Sequence, residues 1–165
     1  MNIPSRRTKT RVRIKTADLS DSDDCSAICN LINMYRQDAM GGNLKYLSKN
    51  QQKQLIHELR TFPNCRIFLA VSELTPVGLA VCFHMFSTFS VKSLINIHDL
   101  IVHPHFRKQG IGKTIMDEIE TFAKHNNCCR ITLEVRNDNR RAQNLYRKKG
   151  YGNCDPPMLF WTKNV

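Results

Sequence analysis

The sequence lacks a hydrophobic run long enough to cross a bilayer: its longest, residues 77–83, falls far short of the roughly 20 residues a spanning helix needs. No apolar stretch follows the N-terminal charges either, so nothing there reads as an export signal, and no membrane partner is expected. Seven cysteines occur without a C-x-x-C pair, an odd number that includes the adjacent Cys128 and Cys129. That pattern excludes a zinc-knuckle signature and a disulfide framework, and reduced thiols in the cytoplasm are the expected state. Aromatic residues make up only 8% of the chain and are not interleaved with basic ones, which disfavours a surface for single-stranded nucleic acid. Internal repeats, low-complexity linkers and domain boundaries are missing too. A chain of 165 residues, 41% of them apolar, suits one compact domain and is short for two.

Positive charge is what the sequence has in excess. The formal net charge is +11, and it is concentrated: residues 1–15 hold six Lys/Arg and no acid, and residues 105–150 hold eleven against five acids. Such an imbalance asks for an anionic partner. Nucleic acid is one class, and a compact anionic cofactor would account for the second cluster equally well. Residues 1–10 show no apolar periodicity and read as a flexible, solvated basic tail, leaving 11–165 as the folded domain.

Periodicity gives a coarse element order. Alternating "RVRIKTAD" reads as an early strand, and residues 21–24 offer N-caps for a helix through about residue 38, with Ile28, Leu31, Ile32 and Tyr35 at helical spacing. "SKNQQKQLIHELR" resumes helix until Pro63 and Asn64 end it. Three strand-like runs follow, "CRIFLAVSE", "VGLAVCFHMFSTF" and "SLINIHDLIVHP", the first two joined as a hairpin. Residues 113 to about 126 read as helix, 130–136 as an alternating strand, and 140–149 as a last helix with Gly150 just past its end. "MLFWTKNV" reads as a closing strand. This order implies a mixed sheet with helices on both faces.

The segment "HFRKQGIGKTI" lies between a strand and a helix. A P-loop would need glycine where Arg107 stands, and a dinucleotide fingerprint would need glycine where Ile115 stands, so both are excluded. What remains is a turn with successive backbone N–H groups leading into a helix dipole, flanked by Arg107, Lys108 and Lys113: a cradle for an anion. Gly110 and Gly112 carry no Cβ, so a pyrophosphate can approach the backbone.

"RKQGIG" resembles the R/Q-x-x-G-x-G/A signature of the GNAT acetyltransferase superfamily. Its flanks "IHDLIVHP" and "NDNRRAQNLYRKKGY" resemble the preceding strand and a following helix of that family, and "MYRQDAMGG" is similar to a substrate-loop segment of one bacterial subgroup. The resemblance implies the α/β GNAT fold as a single domain over 11–165, with a mixed central sheet of about six to seven strands between helices. It implies acetyl-CoA as cosubstrate without a metal, with pyrophosphate on Arg107, Lys108, Gln109, Gly110, Ile111, Gly112 and Lys113. The pantetheine arm would pair with the backbone of Leu100, Ile101 and Val102. Asn139 and Tyr146 match the spacing of a family asparagine and helical tyrosine at the cofactor.

The implied reaction moves an acetyl group to an amine by direct attack through a tetrahedral intermediate. A primary amine with pKa near 10.4 is neutral in only about one molecule per thousand at neutral pH, so a base or a desolvating pocket must remove its proton. The oxyanion needs a donor, which an N–H near Leu100 would supply, and the departing thiolate needs an acid, for which Tyr146 is the candidate. For the base, His98 shares strand parity with Leu100 and Val102 and aligns with a glutamate of the diamine acetyltransferases, which the family resemblance makes distant relatives. Glu134 is a second candidate, and Asp99 a third whose side chain should point the other way. Tyr35, Asp38, Met40, Phe86 and Phe89 are candidate acceptor-pocket residues. The acceptor is a small-molecule or peptide amine, and a homodimer is the oligomer left open. A basic nucleic-acid-binding module on a non-catalytic version of the fold is the rival reading.

Overall fold

A computed structural model describes residues 11–165; the expected tail at 1–10 lies outside the described residues. The chain forms two compact units, the first ending at Glu134 and the second spanning Val135–Val165. In the first, the order is β1 (Val12–Thr16), α1 (Ser22–Gln37), a 3₁₀ turn (Ala39–Gly41), α2 (Lys49–Thr61), β2 (Cys65–Ser72), β3 (Thr75–Ser87), β4 (Lys92–Val102), a second 3₁₀ turn (Pro104–Phe106), α3 (Ile111–His125) and β5 (Ile131–Leu133). The second unit holds α4 (Arg140–Lys148).

Local chemistry explains the helix starts. Asp21 caps α1, its side chain accepting from the Asp23 amide at 2.8 Å. Ser48 and Gln51 form a reciprocal capping box for α2: the Gln51 amide donates to Ser48 Oγ at 3.2 Å, and the Ser48 amide to Gln51 Oε1 at 2.9 Å.

The sheet runs β1-β2-β3-β4-β5, antiparallel through β4 and parallel between β4 and β5. One face packs Phe68, Ala70, Ala80, Cys82, Ile95 and Ile97 against Ile111, Ile115, Ile119 and Ala123 of α3. The other packs Ile67, Leu69, Leu79, Val81 and Ile101 against Ala27, Ile28 and Leu31 of α1, with Ile56 and Leu59 of α2 alongside. Helices thus cover both faces. Gly78 permits the α3 side of this arrangement: a Cβ there would lie 3.0 Å from both the Ile101 carbonyl oxygen and Ile115 Cδ1.

Among the described residues the sheet has five strands rather than the six to seven expected. The closing strand expected over 158–165 is not recorded, and Met158, Leu159, Phe160 and Trp161 are exposed. Four successive apolar side chains specify neither face of a strand, and a strand exists through its ladder with a neighbour rather than through propensity.

Candidate functional site

The site is built on β4, which changes character along its length. Ile95, Asn96 and Ile97 pair with Ile131, Thr132 and Leu133, where the parallel ladder ends. On the other side the register with β3 slips, Cys82 facing Ile97 but Val81 facing Asp99, so His98 is the extra residue of a β-bulge. The bulge reverses parity. Ile95 and Ile97 pack towards α3, and beyond the extra residue Leu100 and Val102 do so, while Ile101 joins the α1 cluster.

Backbone direction follows the same logic. The His103 amide donates to the Val77 carbonyl at 2.9 Å, and peptide groups alternate along a strand, so those of Leu100 and Val102 turn away from β3. They meet an edge that no strand of this unit covers, because β5 stops at Leu133. The three residues expected to pair with a strand-like ligand therefore divide: Leu100 turns its N–H and C=O to the open edge, Val102 turns its N–H there while its carbonyl accepts from Arg107 Nε, and Ile101 is committed to β3.

Beyond β4 the chain makes the second 3₁₀ turn, passes Arg107, Lys108 and Gln109, and enters α3. Lys108 (φ 63°) and Gly110 (φ 85°) are both left-handed, a conformation costly for most residues and free for glycine. Gly110 is the N-cap of α3 and provides no side-chain cap. The first amides of the helix, those of Ile111, Gly112 and Lys113, have no intrahelical acceptor, and they sit at the positive end of the helix dipole. A Cβ added at Gly110 would meet nothing within 4 Å, so the space over the turn is open. This cradle and the open edge fit a ligand with an anionic end and an amide-bearing arm. Lys113 reaches Asp117 at 2.7 Å in an exposed pair, and Gln109 Nε2 donates to the His105 carbonyl. His103, at the strand end, has its pKa lowered by burial and by neighbouring His105 and Arg107, which favours a neutral imidazole.

Arg107 is held differently from the expectation of a phosphate ligand. Its Nε donates to the Val102 carbonyl at 2.9 Å and its Nη2 to Asp38 Oδ2 at 2.8 Å. Asp38, expected in the acceptor pocket, also caps the first 3₁₀ turn by accepting from the Met40 amide at 2.9 Å. Tyr35 Oη donates to the Met40 carbonyl at 3.4 Å, so Tyr35, Asp38 and Met40 gather around this turn. Phe86 and Phe89 lie elsewhere, exposed at the tip of the β3–β4 hairpin, where Phe86 pairs with Ser93 at the opposite end of β4 from Leu100.

Two of the candidate bases need correction. His98 does not share a face with Leu100 and Val102, because the bulge intervenes; its ring packs edge-on against Phe83, 5.5 Å away, a neighbour of the α1 cluster. Asp99 was expected to point the other way from His98, yet by alternation with Ile101 it turns to the α1 face as well. Two residues of a bulge opposite one partner project to one side. Burial raises the Asp99 pKa and the nearby His98 lowers it. On the β5 side, Glu134 accepts from Asn96 Nδ2 at 3.4 Å, and the same amide nitrogen reaches Thr132 Oγ1 at 3.2 Å. Sequence reasoning missed Asn96 and Thr132; a polar residue within the apolar run "SLINI" is the signal that marks the first.

In the second unit, Asn139 Oδ1 caps α4, accepting from the Ala142 amide at 3.1 Å. Tyr146 lies half-buried on that helix, its ring 6.1 Å from that of Tyr151. Among the described residues no three His, Cys, Asp or Glu side chains are grouped to hold a metal, and no helix is long and apolar enough to cross a membrane.

A family model described as "Acetyltransferase (GNAT) family" matches residues 30–151. The chain is 28% identical over 131 residues to an uncharacterized N-acetyltransferase of Bacillus subtilis, covering 79% of this chain and 85% of that one. It is 32% identical over 74 residues to the thialysine N-epsilon-acetyltransferase of Bos taurus, covering 45% of this chain and 43% of the other. Among solved structures it resembles an aminoglycoside acetyltransferase from an uncultured soil metagenomic sample in complex with sisomicin. The TM-score is 0.76 at 19% identity, over 93% of this chain and 97% of that one.

Proposed function

Because the chain belongs to the GNAT acetyltransferase family, we propose that it seats acetyl-CoA on the open edge of β4 and the uncapped start of α3 and acetylates a primary amine. As an N-acetyltransferase it must supply a seat for an anionic cofactor, a donor for developing negative charge, and routes for two protons. Acetyl-CoA brings an activated thioester to such a site. The amides of Ile111, Gly112 and Lys113 take the pyrophosphate, with Lys108 and Lys113 adding charge at the rim. The Leu100 N–H, directed to the open edge, donates to the developing oxyanion.

Glu134 is the base this reading favours over His98. Its carboxylate is held by Asn96 on the polar face of β4 and β5, whereas His98 is packed against Phe83. Tyr146, from the family spacing, serves as the acid that protonates the leaving thiolate. The thialysine and aminoglycoside enzymes among the relatives support a small-molecule amine as acceptor, with Tyr35 and Met40 at its wall. All seven cysteines are free, which supports a reducing, cytoplasmic setting, and residues 11–165 act as one catalytic domain.

The observation that carries the proposal is the continuity of the open β4 edge with the uncapped helix start. Thermal melting with acetyl-CoA tests it. Ligand at about 100 times its dissociation constant should add about 2.7 kcal/mol of stability, and duplex or single-stranded nucleic acid should add none. A shift with nucleic acid and none with acetyl-CoA would install the rival reading.

A further inference from the structure

We infer that Asp38 is a positioning residue for the cofactor cradle, acting through Arg107, and not a ligand of the acceptor. The inference rests on the acetyl-CoA reading above. The two carboxylate oxygens of Asp38 are divided between two tasks. Oδ1 caps the first 3₁₀ turn through the Met40 amide, and Oδ2 takes Arg107 Nη2 at 2.8 Å. Arg107 in turn spends its Nε on the carbonyl of Val102. Backbone bonds anchor both ends, the Asp38 amide donating to the Tyr35 carbonyl at 2.9 Å and the Arg107 amide to that of Pro104 at 3.2 Å. A chain of hydrogen bonds therefore runs from the end of α1 to the last residue of β4, joining residues 69 positions apart.

Three consequences follow from the chemistry of the pair. A guanidinium is planar, so committing Nε and Nη2 in two directions fixes its orientation. The segment it belongs to, 104–110, contains two left-handed residues and no ladder of its own, so a brace from outside restrains the turn that leads into the α3 amides. Second, Val102 offers its N–H but not its carbonyl to the open edge, which restricts the register in which a strand-like arm can add there. Third, the carboxylate neutralises Arg107, leaving the amides and lysines to meet the pyrophosphate. The side chains are 28% and 22% exposed, so this bridge is worth more than a fully solvated one.

The test compares wild type, Asp38→Ala, Asp38→Asn, Arg107→Ala and the double Ala variant. Readouts are the CoA dissociation constant by titration calorimetry, amide hydrogen exchange across residues 104–110 without ligand, and melting temperature. Asp38→Ala should weaken CoA about tenfold and speed exchange over 104–110, and the double variant should bind no more weakly than Arg107→Ala alone. Tighter CoA binding by Asp38→Ala would overturn the inference, since it would mean that the carboxylate competes for a phosphate-binding arginine. Unchanged affinity and exchange would also overturn it, even with a lower melting temperature, because Asp38 would then be only structural. Asp38→Asn keeps the cap and loses the charge. Should Asp38→Ala not fold, wild-type affinity in Asp38→Asn overturns the inference and a weaker shift in the same direction supports it. Wild type that binds no CoA removes the cofactor reading itself, and this inference with it.

Discussion

The two halves of β4 share an apolar alphabet and do opposite work. Over residues 95–97 the strand lies between β3 and β5, with Ile95, Asn96 and Ile97 buried. Over 98–102 it keeps β3 and loses β5, and it carries the bulge. "INI" and "LIV" look alike as sequence, yet the first closes a core and the second opens an edge. The difference comes from one inserted residue and from a neighbour that ends at Leu133. In the open half the functional groups are backbone N–H and C=O, which every residue has, so function there is created by pairing withheld rather than by side chains supplied.

The contrast breaks most visibly in the closed half. Ile95 is fully buried, and Ile95→Ala should cost about 2–5 kcal/mol of stability through lost transfer energy and a cavity. Urea denaturation measures that loss, and CoA affinity of the folded variant should stay near wild type. A large affinity loss would show that the closed half also shapes the site. Gly110→Ala, where the open half feeds into α3, should show the reverse balance. Its left-handed φ costs an alanine about 1 kcal/mol, and the added methyl meets no protein atom, but it stands where the ligand must approach. CoA titration should show weaker binding, and equal affinity would mean that the phosphate does not come close to this turn.

Legibility in the sequence followed the range of the interactions. Helix starts depend on neighbours a few positions away, and the Asp21 cap and the strand–turn–helix around Gly110 were readable for that reason. The bulge was not, because it is a mismatch between β4 and the register of β3 and leaves the alternation within "INIHDLIV" looking unbroken; parity then assigned His98 to the wrong face. Arg107 and Asp38 were each marked as functional, one for the cofactor and one for the acceptor, and nothing local relates two residues that far apart. Glu134 is a candidate from its place on a polar strand face, whereas the Asn96 that donates to it is a single polar residue within an apolar run and carries no local mark of that contact.

The smallest expected effect lies at the junction of the halves, in Asp99. Burial raises its pKa above the ordinary 3.8, with His98 opposing. A carboxyl whose folded pKa is raised binds its proton more tightly in the native state, so ionisation at neutral pH works against folding. Stability from this group therefore increases as pH falls through the raised value and levels off below the unfolded one. Asp99→Asn removes the charge at every pH. Its melting temperature should exceed that of wild type at pH 7, and the difference should shrink as pH falls through the raised value, where wild type gains its proton. Taking the difference between the two proteins cancels the titration of other groups that are unchanged. Repeating the series in His98→Asn removes the neighbouring imidazole and isolates the carboxylate. A melting difference that grows towards acid would mean that Asp99 is stabilised as an anion, pairing with His98 more strongly than burial penalises it, and the junction would then be an ion pair rather than a desolvated acid.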